Sequence, residues 1–368
     1  MSKTPPFHAD HVGSLLRSTA VHQAREKYAA GEIDYAALQA AEDAHIRDLI
    51  AKQEEIGLKS VTDGETRRAV WSTDFLQELE GMSFAEEQAS FGDKTLHPIR
   101  HLKVTGKLGF SGHPMIEHFR FLDANTNATA KMTIPSPAML VSPRRNWREV
   151  VDRAAYDRLD TLYEDLAEAY RQAVQAFYDA GCRYLQFDDC AFAFLCDEGI
   201  REEVTSRGDD PRALMEGWTE LINSVLAAKP ADMTITTHMC RGNFRSKWLA
   251  QGGYETIADL LFERLGYDGF FLEYDSDRAG GFEPLRRLRE SGDQVVVLGL
   301  LTTKVGTLEA KDDIKRRIEQ ATEYVPLDRL RLSPQCGFAS TEAGNELAQD
   351  EQWAKLKMVV DIADEVWS

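Results

Sequence analysis

Apolar and polar positions along the chain follow two rhythms. Short runs rich in β-branched and aromatic residues, bounded by Gly, Pro, Asp or Ser, read as strands. These are DHVGS (10–14), SVTDGE (60–65), KMTIP (131–135), RYLQFDD (183–189), MTITTHMC (233–240), GFFLEYD (269–275), VVVLGLL (295–301) and RLRLSP (329–334). Between them, apolar residues three or four apart predict helices over 36–57, 148–180, 211–228, 253–265, 282–290, 308–322 and 342–366. Eight strands, nearly every one followed by a helix, predict an α/β protein built as a (β/α)8 TIM barrel. A doubly wound open sheet competes, but no Gly-rich phosphate fingerprint follows the first strand to support it. Residues 82–130 break the rhythm, and pieces such as HLKVTGKL and IEHFRFL predict an inserted β-hairpin there. With no internal repeat, low-complexity tract or linker, residues 1–368 are expected to form one catalytic domain.

Composition narrows the partners. Hydrophobic residues make up 43% of the 368 and charged residues 28%, enough for a large core. A formal charge of −18 repels polyanions, so neither nucleic acid nor an anionic membrane surface is expected as a partner. No apolar run approaches the roughly 20 residues that span a bilayer. The start, MSKTPPFHAD, lacks a secretory pattern. Cysteines at 182, 190, 196, 240 and 336 are scattered rather than paired in a framework, which points to a reducing cytoplasm. Cys182, Cys190 and Cys196 read as structural, with Cys190 close enough to a strand end to stay a minor candidate.

The unusual residues collect at predicted strand ends, where a parallel barrel places its chemistry. They are Val12-Gly13-Ser14, Asp63-Gly64-Glu65, Asp188-Asp189, His238-Met239-Cys240, Glu273-Tyr274-Asp275 and Ser333-Pro334-Gln335-Cys336. Alternation along 233–240 turns His238 and Cys240 to the same side. Either alone is more often a satisfied buried residue; the pair on one face shifts the balance. Zinc takes about four such donors, and His238, Cys240, Glu273 and Cys336 would arrive from three strands around one mouth. Neither CxxC nor HExxH is present, so spacing alone makes this only moderately specific.

In order along the chain, HVGSLLR, DGE, YLQFDD, THMCRGN, FLEYD, VLGLLTTK and SPQCGF resemble the catalytic domain of the cobalamin-independent methionine synthases. The likeness is to the short bacterial members that lack the long enzymes' N-terminal half. It implies a zinc site at His238, Cys240, Glu273 and Cys336. It also implies a substrate carboxylate at Val12-Gly13-Ser14, and an ammonium held by Glu65 and Asp188. That agrees with the chemistry, since backbone N–H groups around a glycine suit an anion and paired carboxylates suit a cation. The reaction implied is methyl transfer to a zinc-activated thiol, homocysteine or a related small thiol.

One departure bears on the donor. The long enzymes carry a histidine after the seventh strand, whereas here the loop reads LGLLTTKVGTLE and no histidine follows His238. Lys304 and Thr302 are the substitutes at hand, and methyltetrahydrofolate is not the expected donor. His11, beside the VGS segment, is the candidate for acid–base work, with His8 a surface alternative. The alternative function keeps the zinc and changes the reaction: hydrolytic removal of sulfur from a thiocarbonyl or thiohydantoin compound, or alkyl transfer to a thiol. A non-catalytic binding protein is the third reading.

Overall fold

Runs such as VVVLGLL bury both faces, so they pair in parallel and need cover on each side. The computed structural model describes residues 4–87, 90–91, 94–95, 99–243 and 245–368. Its main sheet is parallel and curled, with seven strands: β1 (Ser60–Val61), β2 (Thr129–Pro135), β3 (Tyr184–Asp189), β4 (Thr234–Met239), β5 (Gly269–Glu273), β6 (Val295–Leu301) and β7 (Leu330–Pro334). They neighbour one another in chain order, as expected of successive right-handed crossovers.

Helices cover the outer face where their apolar stripes demand it. Helix Leu159–Asp179 buries Leu162, Leu166, Tyr170, Ala173 and Phe177, one stripe at three- and four-residue steps. Helix Gln349–Val366 buries Leu356, Val359 and Ile362–Ala363 in the same way.

Several expectations need correction. DHVGS is not a strand: only Ala9 bridges Leu332, and Gly13 at φ 146° breaks the extended run before Ser14. The segment still lies between both ends of the sheet. Asp10 N–H donates to Leu332 O (3.0 Å) on one side, and Leu15 N–H to Gly64 O (3.0 Å) on the other. Within 82–130, Glu80–Glu87 pairs antiparallel with Ile99–Gly109; residues 88–89, 92–93 and 96–98 lie outside the described residues. IEHFRFL, however, belongs to helix Pro114–Ala124. Proline at its first position, a cap from His113 and burial of Met115, Phe119 and Leu122 outweigh the alternation. The helix expected over 148–180 is interrupted between Val150 and Leu159, where Val151 bridges Val104. The one expected over 342–366 begins only at Gln349. Over 253–265 and 282–290 the chain makes short 3-10 and π turns instead of regular helices.

Register then sets the site. Pro135, Asp188 and His238 share one row across β2, β3 and β4, and Glu273, Gly299 and Ser333 share another across β5, β6 and β7. Gly299 is needed there: a Cβ would lie 2.8 Å from the Gln335 Cα and 2.8 Å from Leu272 O. The missing side chain lets the segment carrying Cys336 close against the sheet.

Candidate metal centre and substrate cavity

His238 is the penultimate residue of β4, Cys240 lies just past its end, Glu273 ends β5, and Cys336 lies two residues past β7. Their donor atoms all fall within 4.8 Å of one another, and all four residues are buried. The Cys240 and Cys336 sulfurs are 3.6 Å apart and unbridged. Apart from the adjacent Cys336 sulfur, neither imidazole nitrogen of His238 has a hydrogen-bond partner among the described residues. A buried imidazole with nothing to bond is costly unless an electrophile completes it. The thiols tell the same story. A hydrogen bond with Cys190, then burial, pushes the Cys240 thiol well above its ordinary range. A hydrogen bond with Cys240, then burial, does the same to Cys336. Two thiols that resist ionisation unaided become thiolates only beside a cation.

Glu273 is held differently. Burial raises its pKa, but Lys304, Arg241 and Arg278 together leave it below the usual value. Gln335 Nε2 donates to its Oε1 at 3.0 Å and Arg278 to its Oε2 at 3.3 Å. Gln335 is itself fixed, accepting from the Thr303 N–H and hydroxyl at 3.0 Å each. The carboxylate is therefore ionised and aimed, with an outer shell of the kind that orients metal ligands.

A cavity of about 170 Å³ opens on this cluster, and Val12, Ser14, Glu65, Asp188, His238 and Cys336 are among its walls. The residues expected at the substrate therefore meet those expected at the metal. Gly13 packs where a Cβ would lie 2.5 Å from the Glu65 carboxylate and 2.8 Å from Thr133, which excludes any larger residue. Ser14 Oγ accepts the Ala339 N–H (3.2 Å), tying this segment to the loop behind Cys336. Glu65 sits in a left-handed backbone conformation (φ 55°), stabilised as its N–H donates to Asp63 Oδ1 at 2.8 Å. Its Oε1 accepts from Thr133 at 2.9 Å. Asp188 accepts from Gln186 Nε2 at 2.7 Å, and burial lifts its pKa to about 6 against the pull of Arg68.

The remaining residues divide between the cavity walls and their surroundings. Val12 and Ser14 line the cavity, whereas His11 is buried among Asp10, Lys131 and Ser60. Desolvation first, then Lys131, holds it at a pKa of about 4. Trp71, Phe194 and Cys190 line the cavity; Phe75 and Phe192 belong to the core. Lys304 pairs with Asp275 (3.7 Å) beside Glu273. Arg144 meets Glu203 on the surface.

The sequence reading missed Arg68. Its guanidinium pairs with Glu65 inside the cavity.

Comparison with known proteins gives the family. YxjH and YxjG of Bacillus subtilis, both uncharacterised, are 49% and 50% identical to this chain. They are matched over 98% and 99% of it and over 95% and 96% of their own lengths. A 5-methyltetrahydropteroyltriglutamate–homocysteine methyltransferase of Paraburkholderia phytofirmans is 27% identical over 96% of this chain but only 44% of its own. Among solved structures, a Listeria monocytogenes protein provisionally named a vitamin-B12-independent methionine synthase superposes at a TM-score of 0.79. It is 42% identical and matched over 100% of both chains. A B12-independent methionine synthase from Shewanella, solved with selenomethionine, shares the fold at a TM-score of 0.71 with 18% identity. That match covers 98% of this chain and 97% of the other. The family model for the cobalamin-independent synthase catalytic domain matches residues 7–365, and the chain belongs to that family.

Proposed function

We propose that this chain is a zinc-dependent S-methyltransferase that moves a methyl group onto the thiol of homocysteine or a related small thiol. The observation that carries the reading is one cavity with soft donors on one wall and two carboxylates on another. The donor set suits zinc: one imidazole, two sulfurs and one carboxylate, with an imidazole otherwise unbonded. Bound there, zinc supplies the charge that keeps a substrate sulfur as thiolate at neutral pH, ready for a methyl carbon.

The chain's own residues do the rest. Glu65 and Asp188 hold an ammonium and fix where the thiol points. Val12 O and Gly13 O are engaged by Gln186 (2.7 Å) and Thr62 (2.6 Å), so a substrate carboxylate at this turn does not face free carbonyls. Gln335 and the arginines keep Glu273 ionised and aimed. His11 takes no part in this reading, because its ring is buried away from the cavity walls. The segment 8–15, bonded to both ends of the sheet, serves as the eighth member of a closed (β/α)8 barrel. Five free cysteines suit a reducing compartment such as the cytoplasm, and no helix among the described residues is long and apolar enough to cross a membrane.

The test is methyl transfer by zinc-loaded protein, with homocysteine as acceptor and methylfolate, methylcobalamin and simple methyl donors in turn. Methionine from at least one donor is expected; none from any would sink the proposal. One observation favours a second reading: with Arg68 already on Glu65, an uncharged thiocarbonyl substrate would meet a neutralised wall. Sulfide release from a thiohydantoin would reveal that hydrolysis.

A further inference from the structure

We propose that Arg68 is an internal stand-in for the substrate's ammonium: it occupies the Glu65–Asp188 seat in the free protein, and only a cationic ligand displaces it into a neighbouring cavity. This rests on the amino-acid-thiol reading above and names the residue that enforces it.

Arg68 is 7% exposed and its guanidinium pairs with Glu65. Asp188 faces the same cavity and favours the charged guanidinium, opposing the burial that lowers the Arg68 pKa to about 10. So one cation pairs with Glu65 and also favours the charge on Asp188, the two carboxylates proposed to bind substrate. Its Nε has no hydrogen-bond partner among the described residues, so the seat fits the guanidinium incompletely.

A second seat exists. A separate cavity of about 160 Å³ shares Glu65 and Arg68 with the substrate cavity, so this pair forms the wall between them. Its lining includes Asp63, Asp74 and Glu78, with Arg67 beside them already 3.8 Å from Asp63. The backbone does not need to move. The Arg68 carbonyl accepts from Arg17 Nη2 at 2.7 Å and Arg25 Nη1 at 3.3 Å, so the main chain stays pinned while the side chain turns.

Electrostatics then select the ligand. Removing a cation from two buried carboxylates without replacement is strongly unfavourable. A ligand ammonium replaces the lost charge, while the guanidinium keeps carboxylate partners in the next cavity. A ligand without an ammonium leaves Arg68 in place and meets a smaller cavity. The wild-type affinity for an amino-acid thiol is thus reduced by the fraction of time the latch is closed.

The experiment is calorimetric binding of methionine and its des-amino analogue, 4-(methylthio)butanoate, to zinc-loaded wild type and Arg68→Met. Methionine should bind the variant at least tenfold tighter, while the analogue gains less than threefold. In wild-type crystals soaked with methionine, the Arg68 side chain should point toward Asp63, Asp74 and Glu78. Equal or weaker methionine binding by the variant overturns the proposal, as does a soaked crystal with Arg68 still on Glu65. Should Arg68→Met not fold, Arg68→Lys, with a shorter cation, should still gain at least threefold, and the soaked wild type needs no variant. Tighter methionine binding without any methyl transfer would retain the latch and discard the methyltransferase. No methionine binding by either protein would discard the latch, whatever the activity assay shows.

Discussion

Two buried polar clusters sit inside the same curled sheet, and they are built on opposite terms. Asp10 has every demand of its carboxylate met, although the ring nitrogens of the neighbouring His11 have no side-chain partner among the described residues. Its carboxylate accepts from the Phe7 and His11 N–H groups, the Ser60 hydroxyl, the Tyr184 hydroxyl (2.9 Å) and Lys131 Nζ (3.3 Å). Lys131 also donates to His11 O at 2.6 Å and lies 4.1 Å from the centre of the Phe271 ring. Around Cys336 the demands are left open: an unbonded imidazole, two thiols in contact and a carboxylate steered from behind. Both clusters are buried and both contain charge. The difference is closure, since a closed buried network supports the fold and an open one waits for something to complete it.

The largest expected effects separate the two. Replacing His238 or Cys336 with alanine should lower zinc affinity by more than the 10–100-fold typical of outer-shell losses. Methyl transfer should fall with it, while folding stability changes by no more than about 1–2 kcal/mol. Metal analysis and urea titration of the same samples check both halves. Lys131→Met should do the reverse. It strands Asp10 without its counter-charge, at about 3–5 kcal/mol of stability, yet leaves zinc stoichiometry unchanged. A Lys131→Met protein that folded normally but lost zinc would erase the distinction.

Between these lies the outer shell of the metal cluster. Gln335 donates to Glu273 and is anchored by Thr303, so Gln335→Met keeps the volume but releases the carboxylate. Zinc affinity should drop about 10–100-fold in a chelator competition, with the ligand set intact. An unchanged affinity would mean that Arg278 alone aims Glu273.

How much of this could be read beforehand follows from the same physics. β4 was legible because MTITTHMC alternates cleanly, and alternation fixes which residues share a face. Glu273 and Cys336 were legible as strand-end residues, although only the fold brings them within 4.8 Å of His238 and Cys240. The first segment was misread, because the hydrogen bonds of residues 8–15 are divided between two distant strands and leave no local pattern. IEHFRFL was misread because alternation and a three-to-four-residue repeat coincide over seven residues, and capping by His113 and Pro114 decides between them. Arg68 was invisible for a different reason. Two arginines after DGET carry no periodicity, and the meaning of Arg68 depends on Asp188 more than a hundred positions away.

The smallest predicted effect asks to which kind of cluster Asp189 belongs. It is fully buried at the end of β3; Phe192 N–H donates to its Oδ1 at 3.2 Å, while its Oδ2 has no partner among the described residues. Burial lifts its pKa from 3.8 to about 6, despite hydrogen bonds from Ser136, Phe192 and Ala191. Because the folded chain holds this proton more tightly than the unfolded one, the group's stabilising share is full below pH 4. It is lost as pH rises toward 6, at no more than about 1.4 kcal/mol per pH unit. Asp189→Asn carries no such titration. The stability of the variant relative to wild type should therefore climb between pH 4 and pH 6, by on the order of 2–3 kcal/mol in all. Urea titrations at pH 4, 5, 6 and 7 measure that difference, in which distant groups cancel, while the adjacent Asp188, whose charge helps raise the Asp189 pKa, responds to the same substitution. A difference that stays flat with pH would mean that the fold accommodates the Asp189 charge after all.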